Sequence, residues 1–181
     1  MDNRILPTPE QLRQLLTYDA NTGKLTWKRR PSEMFATPRA YGLWNTRFAH
    51  KEAFTSVKGS GYRHGKIFSK LHLAHRVIWA MQSGEWPKDQ VDHIDTDRLN
   101  NSWSNLRLAS HHQNARNQSF RSNNKSGFKG VHWCKRGRVF IAQISVNWKK
   151  IHLGCYTSAE EAYAAYCEAS KMYHGEFSRT E

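Results

Sequence analysis

Four side chains in the middle of the chain could do chemistry together. Asp92 and His93 stand side by side in Val91-Asp92-His93-Ile94-Asp95, Asn105 opens Asn105-Leu106-Arg107-Leu108, and Asn114 lies in Gln113-Asn114-Ala115-Arg116-Asn117. A carboxylate and a carboxamide are hard oxygen donors that suit Mg2+ or Mn2+ rather than zinc. Two protein ligands leave room for water and a phosphate, an arrangement magnesium favours. An imidazole beside the carboxylate can take a proton from water near neutral pH. A side-chain amide such as that of Asn105 can bond the other ring nitrogen and fix its tautomer. One ion held this way would act as a Lewis acid on a leaving oxygen. The set can therefore assemble a site that hydrolyses a phosphodiester.

The elements that must position these groups are short. Val91 ahead of Asp92-His93, and the run Leu106-Arg107-Leu108, both suit strands, whereas residues 96–104 are too polar for a core and read as an irregular loop. Ser110 can cap a helix that carries Asn114 about one turn in. The unit is strand, loop, strand, helix. Taken singly, each residue has a plainer reading, since Asp-His pairs are common in turns and loop asparagines usually satisfy backbone groups. Asp95 and Asp97 are read that way, as turn residues, and Arg107 either touches phosphate or covers its strand. His72 and His75, like the adjacent His111 and His112, raise zinc, but no cysteine joins them at ligand spacing, so zinc is not expected.

The pattern V-D-H-I-D, L-N-N, N-L-R-L-A and Q-N-x-x-N strongly resembles the HNH (His-Asn-His, ββα-metal) endonucleases, particularly phage and intron homing enzymes. The segment AHRVIW (residues 74–79) and the opening LTYDANTGKLTW (residues 16–27) are similar to those proteins too, so the resemblance spans about residues 6–117. It implies Asp92 and Asn114 as metal ligands, His93 as general base and Asn105 as the residue orienting His93. Asn114 stands where many relatives have histidine, which implies an Asp/Asn metal site.

Charge supports a polyanionic partner. The chain has 181 residues with 28 Lys+Arg against 15 Asp+Glu, a formal net charge of +13, and each neutralised phosphate releases counterions. Hydrophobic content of 38% is below the globular norm of about 45–50%, so the core is modest or divided. No apolar run approaches the ~20 residues of a membrane span, and the N-terminus has no signal-peptide pattern. The expectation is a cytoplasmic protein (host cytoplasm if phage-encoded) with no membrane partner and no small-molecule cofactor. Cys134, Cys155 and Cys167 form no CxxC and are read as reduced, buried thiols.

Thr8-Pro9-Glu10-Gln11 has the form of a capping box ahead of the stripe Leu12, Leu15, Leu16. Residues 29–52 show weak periodicity and are expected to be loop. Gly59-Ser60-Gly61 reads as a hairpin turn before a strand over 62–72, and a helix through Val77, Ile78 and Met81 stops at Gly84.

Residues 121–152 carry eight Lys/Arg and no acid, whereas residues 153–181 carry two basic and five acidic residues. The boundary suggests domains over 1–120 and 126–181 joined by a polar linker at 121–125. From Phe140 to Val146 the side chains alternate, with Phe140, Ala142, Ile144 and Val146 facing one way and Ile141, Gln143 and Ser145 the other. A turn at Asn147-Trp148 leads to a strand with Lys150 and His152 on one face. Ser158-Ala159-Glu160-Glu161 opens a helix with Ala162, Ala165, Tyr166, Ala169 and Tyr173 along one side. The fold class is therefore α+β: an N-terminal ββα-metal unit with added small strands and helices, then a three-stranded antiparallel sheet packed on one helix.

The second part, with GFKGVH (127–132), FIAQI (140–144) and LGCY (153–156), resembles the plant ethylene-response-factor (apetala-type) DNA-binding domain. That likeness puts Lys129, His132, Gln143, Ser145, Lys150 and His152 on the DNA-facing side, and the alternation places Gln143, Ser145, Lys150 and His152 there independently. Arg136 and Arg138 near the hairpin tip suit phosphate contacts. Several arginines of the plant sheet are replaced here, so base preference does not transfer. Together these readings describe a site-preferring, homing-type endonuclease that nicks double-stranded DNA as a monomer. The alternative is a non-enzymatic DNA-binding regulator that keeps the HNH unit as scaffold.

Overall fold

The computed structural model describes residues 6–57, 59–116, 124–146 and 149–178. It is a mixed α+β protein with several small antiparallel sheets. Two compact units divide it, Met1–Leu108 and Ala109–Glu181. The boundary expected after residue 120, most of the expected linker and the expected turn at Asn147-Trp148 lie outside the described residues.

In the first unit, helix α1 (Pro9–Leu15) starts with the expected capping box: Gln11 N–H donates to Thr8 Oγ1, and Thr8 N–H to Gln11 Oε1. Strands β1 (Leu16–Tyr18) and β2 (Leu25–Trp27) form an antiparallel hairpin. The segment expected to be loop holds instead a short 3-10 turn and helix α2 (Pro38–Phe48), capped by Thr37 Oγ1. No residue of α2 is fully buried, and its short stripe of Tyr41, Trp44 and Phe48 only edges the core, which leaves a weak periodicity. Strand β3 (Glu52–Ala53) adds to β2. Strands β4 (Ser56–Val57), β5 (Arg63–Ile67) and β6 (Lys70–Leu73) form an antiparallel sheet. The single strand expected over 62–72 is thus a hairpin turning at Phe68 and Ser69, both with positive φ. Such a turn normally takes glycine or asparagine, which is why its sequence conceals it.

Helix α3 (Ala74–Ser83) ends at Gly84 as expected and packs on α1, whose Arg13 Nε donates to the Met81 carbonyl at 2.9 Å. Leu12, Leu15, Ile67, Val77 and Ile78 are almost wholly buried in one core that also takes in Trp27, Val91 and Leu106. Each such side chain contributes about 1.5–3 kcal/mol by leaving water. That core anchors strands β7 (Gln90–His93) and β8 (Leu106–Ala109), which pair with each other.

The second unit opens with α4 (His111–Arg116), capped by Ser110: Gln113 N–H donates to Ser110 Oγ, and Ser110 N–H to Gln113 Oε1. Strands β9 (Val131–Cys134), β10 (Val139–Val146) and β11 (Lys149–Tyr156) make an antiparallel sheet with β10 in the middle. Helix α5 (Ala159–His174) lies against it, burying Ala162, Tyr166 and Ala169 on Val131, Ala142 and Ile144. The small alanines let helix and sheet approach closely. The buried stripe continues to Ser170 and His174, while Tyr173 is exposed. The cysteines are free thiols, but Cys155 is exposed and the other two only half-buried, contrary to the expected burial.

Candidate active site

His93 ends β7 almost wholly buried, at 3% exposure. Its Nε2 lies 3.1 Å from Asn101 Oδ1. The Asn101 amide is oriented by its other end, where Nδ2 donates to the Leu99 carbonyl at 3.3 Å. Oδ1 is therefore the acceptor, Nε2 carries the proton, and a neutral His93 has its ring lone pair on Nδ1. The sequence had pointed to Asn105 for this contact. Asn105 instead ties the loop together: Nδ2 donates to Asp95 Oδ1 and to the Asn100 carbonyl, both at 2.8 Å, and Oδ1 accepts from Asp95 N–H at 2.9 Å. Asp95 also accepts from Asn100 Nδ2 at 2.7 Å and from Asp97 N–H. Burial raises the Asp95 carboxyl, but the hydrogen bonds from Asn100 and Asn105 outweigh it and hold the group below the usual range.

The opening hairpin buttresses this loop. Tyr18 Oη donates to the Asn101 carbonyl at 2.8 Å, and the phenol is pushed up to about 12, by burial first and Asp19 second, so it stays a donor. Trp103 N–H donates to the Ala20 carbonyl. Gly23, at φ 70°, lies so close that a Cβ there would collide with the Asn101 carbonyl carbon and sit 2.5 Å from Ser102 N. Asn101, only 1% exposed, is thus located by residues some eighty positions away. Its role was not legible beforehand, because an asparagine beside Asn100 in a polar loop carries no local signal.

Two rings pack against His93. His75 packs edge-on with ring centroids 5.2 Å apart, and Tyr62 lies 5.8 Å from His93 and 4.9 Å from His75. Arg98 sits over Tyr62 at 5.0 Å and donates to the Ser60 carbonyl. Burial, with smaller contributions from His93 and Arg76, pushes His75 down to about 3, so it is neutral, and its Nδ1 is buried without a partner.

Asp92, 6% exposed, meets Arg107 of β8, whose Nε and Nη2 both lie 3.0 Å from Asp92 Oδ2. Arg107, read from the sequence as either touching phosphate or covering its strand, is here paired with Asp92. The pair gives the buried carboxylate its countercharge. Asn114 sits on α4 in the second compact unit. Among the described residues there is no group of three or more His, Cys, Asp or Glu that could hold an ion. Asp92 and Asn114 each carry a hard oxygen donor of the type magnesium and manganese take.

Residues 72–116 match the family model of the HNH endonuclease. The chain is 31% identical over 115 residues to protein 3.8 of Escherichia phage T7, covering 63% of this chain and 94% of that protein. It belongs to that protein's family and carries an HNH endonuclease domain. It is also 47% identical over 68 residues to the uncharacterized HNH endonuclease L560 of Acanthamoeba polyphaga mimivirus, spanning 36% of each chain. No solved structure gives a significant match. The HNH match takes in Asp92, His93, Asn101, Asn105, Arg107 and Asn114 together with His75.

Beyond the HNH domain, the sheet of the second unit presents a polar face. Register pairs His132 with Ile141, Gln143 with His152 and Ser145 with Lys150, and cross-strand partners share a face. A register shift between Ala142 and Gln143 keeps Leu153 in the core while His152 stays outside. His132, Ser145, Lys150 and His152 are exposed and Gln143 half-buried. Lys129 precedes the sheet half-buried, and Arg136 and Arg138 are exposed on the β9–β10 turn.

Proposed function

We propose that the protein is a metal-dependent DNA endonuclease that cuts one strand of duplex DNA, using His93 as general base. The observation that supports it most is the His93–Asn101 hydrogen bond inside the HNH match, because it sets the tautomer a base needs. A water attacks phosphorus in line with the 3′ oxygen, its proton passes to the His93 imidazole, the P–O3′ bond breaks, and the departing 3′ oxygen takes up a proton from solvent. The ends are a 5′-phosphate and a 3′-hydroxyl. Asn101 keeps the ring in register and stabilises the imidazolium, while Asn105 acts through the loop that carries Asn101. His75 and Tyr62 pack against the ring and help to hold it in place. Asp92, oriented by Arg107, and Asn114 would hold one Mg2+ or Mn2+, which supplies Lewis-acid stabilisation to the departing oxygen.

The C-terminal sheet, read as an apetala-type reader, would engage flanking duplex through His132, Gln143, Ser145, Lys150 and His152, with Lys129, Arg136 and Arg138 on phosphates. This gives the site preference of a homing-type enzyme acting as a monomer. The test is single-turnover cleavage of an end-labelled duplex. His93→Ala and Asn101→Ala should lose about 100-fold or more in rate while duplex binding persists. Cleavage that survives His93→Ala removes the histidine from the reaction and with it this mechanism.

A further inference from the structure

Helix α2 contributes no residue to the candidate active site and meets the core only at its margin, through Trp44 and Phe48. Between residues 24 and 51 the chain has seven Lys/Arg and one acidic residue, and α2 itself has none of the latter. Its inner side holds by rings: Trp44 packs edge-on against Trp27 at 5.7 Å and stacks near Phe48 at 5.3 Å. Arg30 is fixed between them, with its guanidinium 3.9 Å from the Trp44 ring and 5.0 Å from that of Trp27. Asn45 pairs with both backbone groups of Arg30, accepting its N–H at 2.9 Å and donating to its carbonyl at 3.1 Å. Tyr41, Trp44, Asn45 and Phe48 are thereby half-buried.

The outer side is different. Arg39, Leu43 and Arg47 follow at four-residue spacing and so lie on one face, and all three are exposed, Leu43 by 64%. Gly42 stands among them in mid-helix. A Cβ built on Gly42 meets nothing within 4 Å, and its φ is an ordinary one. Nothing in the fold asks for glycine there, although alanine makes an exposed helix more stable. A partner that must come close to the helix backbone does ask for it.

We propose that the Arg39–Gly42–Leu43–Arg47 face of α2 is a second contact with duplex DNA, made to the phosphate backbone. The two arginines neutralise phosphates, and the missing side chain at Gly42 lets the helix close on the strand. Leu43 supplies apolar contact to the sugars. This inference rests on the reading that duplex DNA is the substrate.

The test is fluorescence anisotropy of a labelled 30-base-pair duplex with the full chain in EDTA, where cleavage is suppressed, over a range of salt. Arg39→Ala and Arg47→Ala should each lower the slope of log K against log salt by about 1. Gly42→Ala should raise the thermal midpoint by about 2–4 °C and yet weaken binding by about threefold or more. Lys171→Ala, on exposed α5, should change neither slope nor affinity. An unchanged slope in both arginine variants, an unchanged affinity in Gly42→Ala, or a lowered midpoint there, overturns the proposal. Wild-type protein that binds no duplex overturns the substrate reading itself, a result distinct from the others.

Discussion

Gly23→Ala is the sharpest probe of how the site is held, because Gly23 lies in the opening hairpin, seventy positions before His93 in sequence. The added Cβ would sit 2.5 Å from Ser102 N, whereas ordinary contact begins near 3.4 Å, so the loop must move by about 1 Å. Alanine at φ 70° also costs about 1–2 kcal/mol, and the steric push brings the total to about 2–4 kcal/mol of stability. The same shift carries Asn101 off His93, and a displacement of that size can cost about 100-fold in rate. The assay pairs urea unfolding with single-turnover cleavage well below the thermal midpoint. The expected result is a destabilised but folded and slow enzyme whose substrate affinity is little changed. Gly59→Ala, in a turn with open space around it, should be neutral in both. A Gly23→Ala protein that is destabilised yet cleaves at the wild-type rate refutes the idea that the hairpin positions the base.

Substitutions at four other positions separate the remaining parts. Because His75 is lowered from the ordinary 6.5 to about 3 by burial, the unfolded chain takes up a proton below 6.5 that the folded one refuses. Stability is therefore full above that pH and falls toward pH 3, by roughly 2 kcal/mol at pH 5. His75→Phe should remove that part of the slope in urea melts at pH 7 and 5. Arg107→Ala leaves the Asp92 carboxylate buried without its fork and should cost about 3–5 kcal/mol, with Arg107→Lys recovering part of it in the same melts. Lys150→Ala with His152→Ala should weaken duplex binding and blunt site preference in a footprint, while leaving the melt of the first unit unchanged.

Much of the scaffold could be read from local patterns. The capping box at Thr8, the N-cap at Ser110, the stripe ending at Gly84 and the alternation from Phe140 to Val146 each follow from a few neighbouring residues. What escaped depends on distant partners. The rings of α2, Tyr41, Trp44 and Phe48, recur at helical spacing but only half-bury at the margin of the core, beside Trp27 and Arg30, and so short a stripe did not stand out among the polar and basic residues around it. Phe68 and Ser69 make a positive-φ turn without glycine. Asp92 and His93 were legible as candidates, whereas their hydrogen-bond partners were not: the Arg107 pairing and the Asn101 contact depend on how the loop closes through Asn105 and Tyr18.

The most direct measurement is incubation of supercoiled plasmid with the purified chain, with Mg2+ or Mn2+ and with EDTA. The account predicts open circles in metal, none in EDTA, and nicks that ligase reseals without end repair, as 5′-phosphate and 3′-hydroxyl ends require. Plasmid that stays supercoiled with either ion, under conditions where the protein binds it, contradicts the central claim and leaves a DNA-binding protein in place of a nuclease.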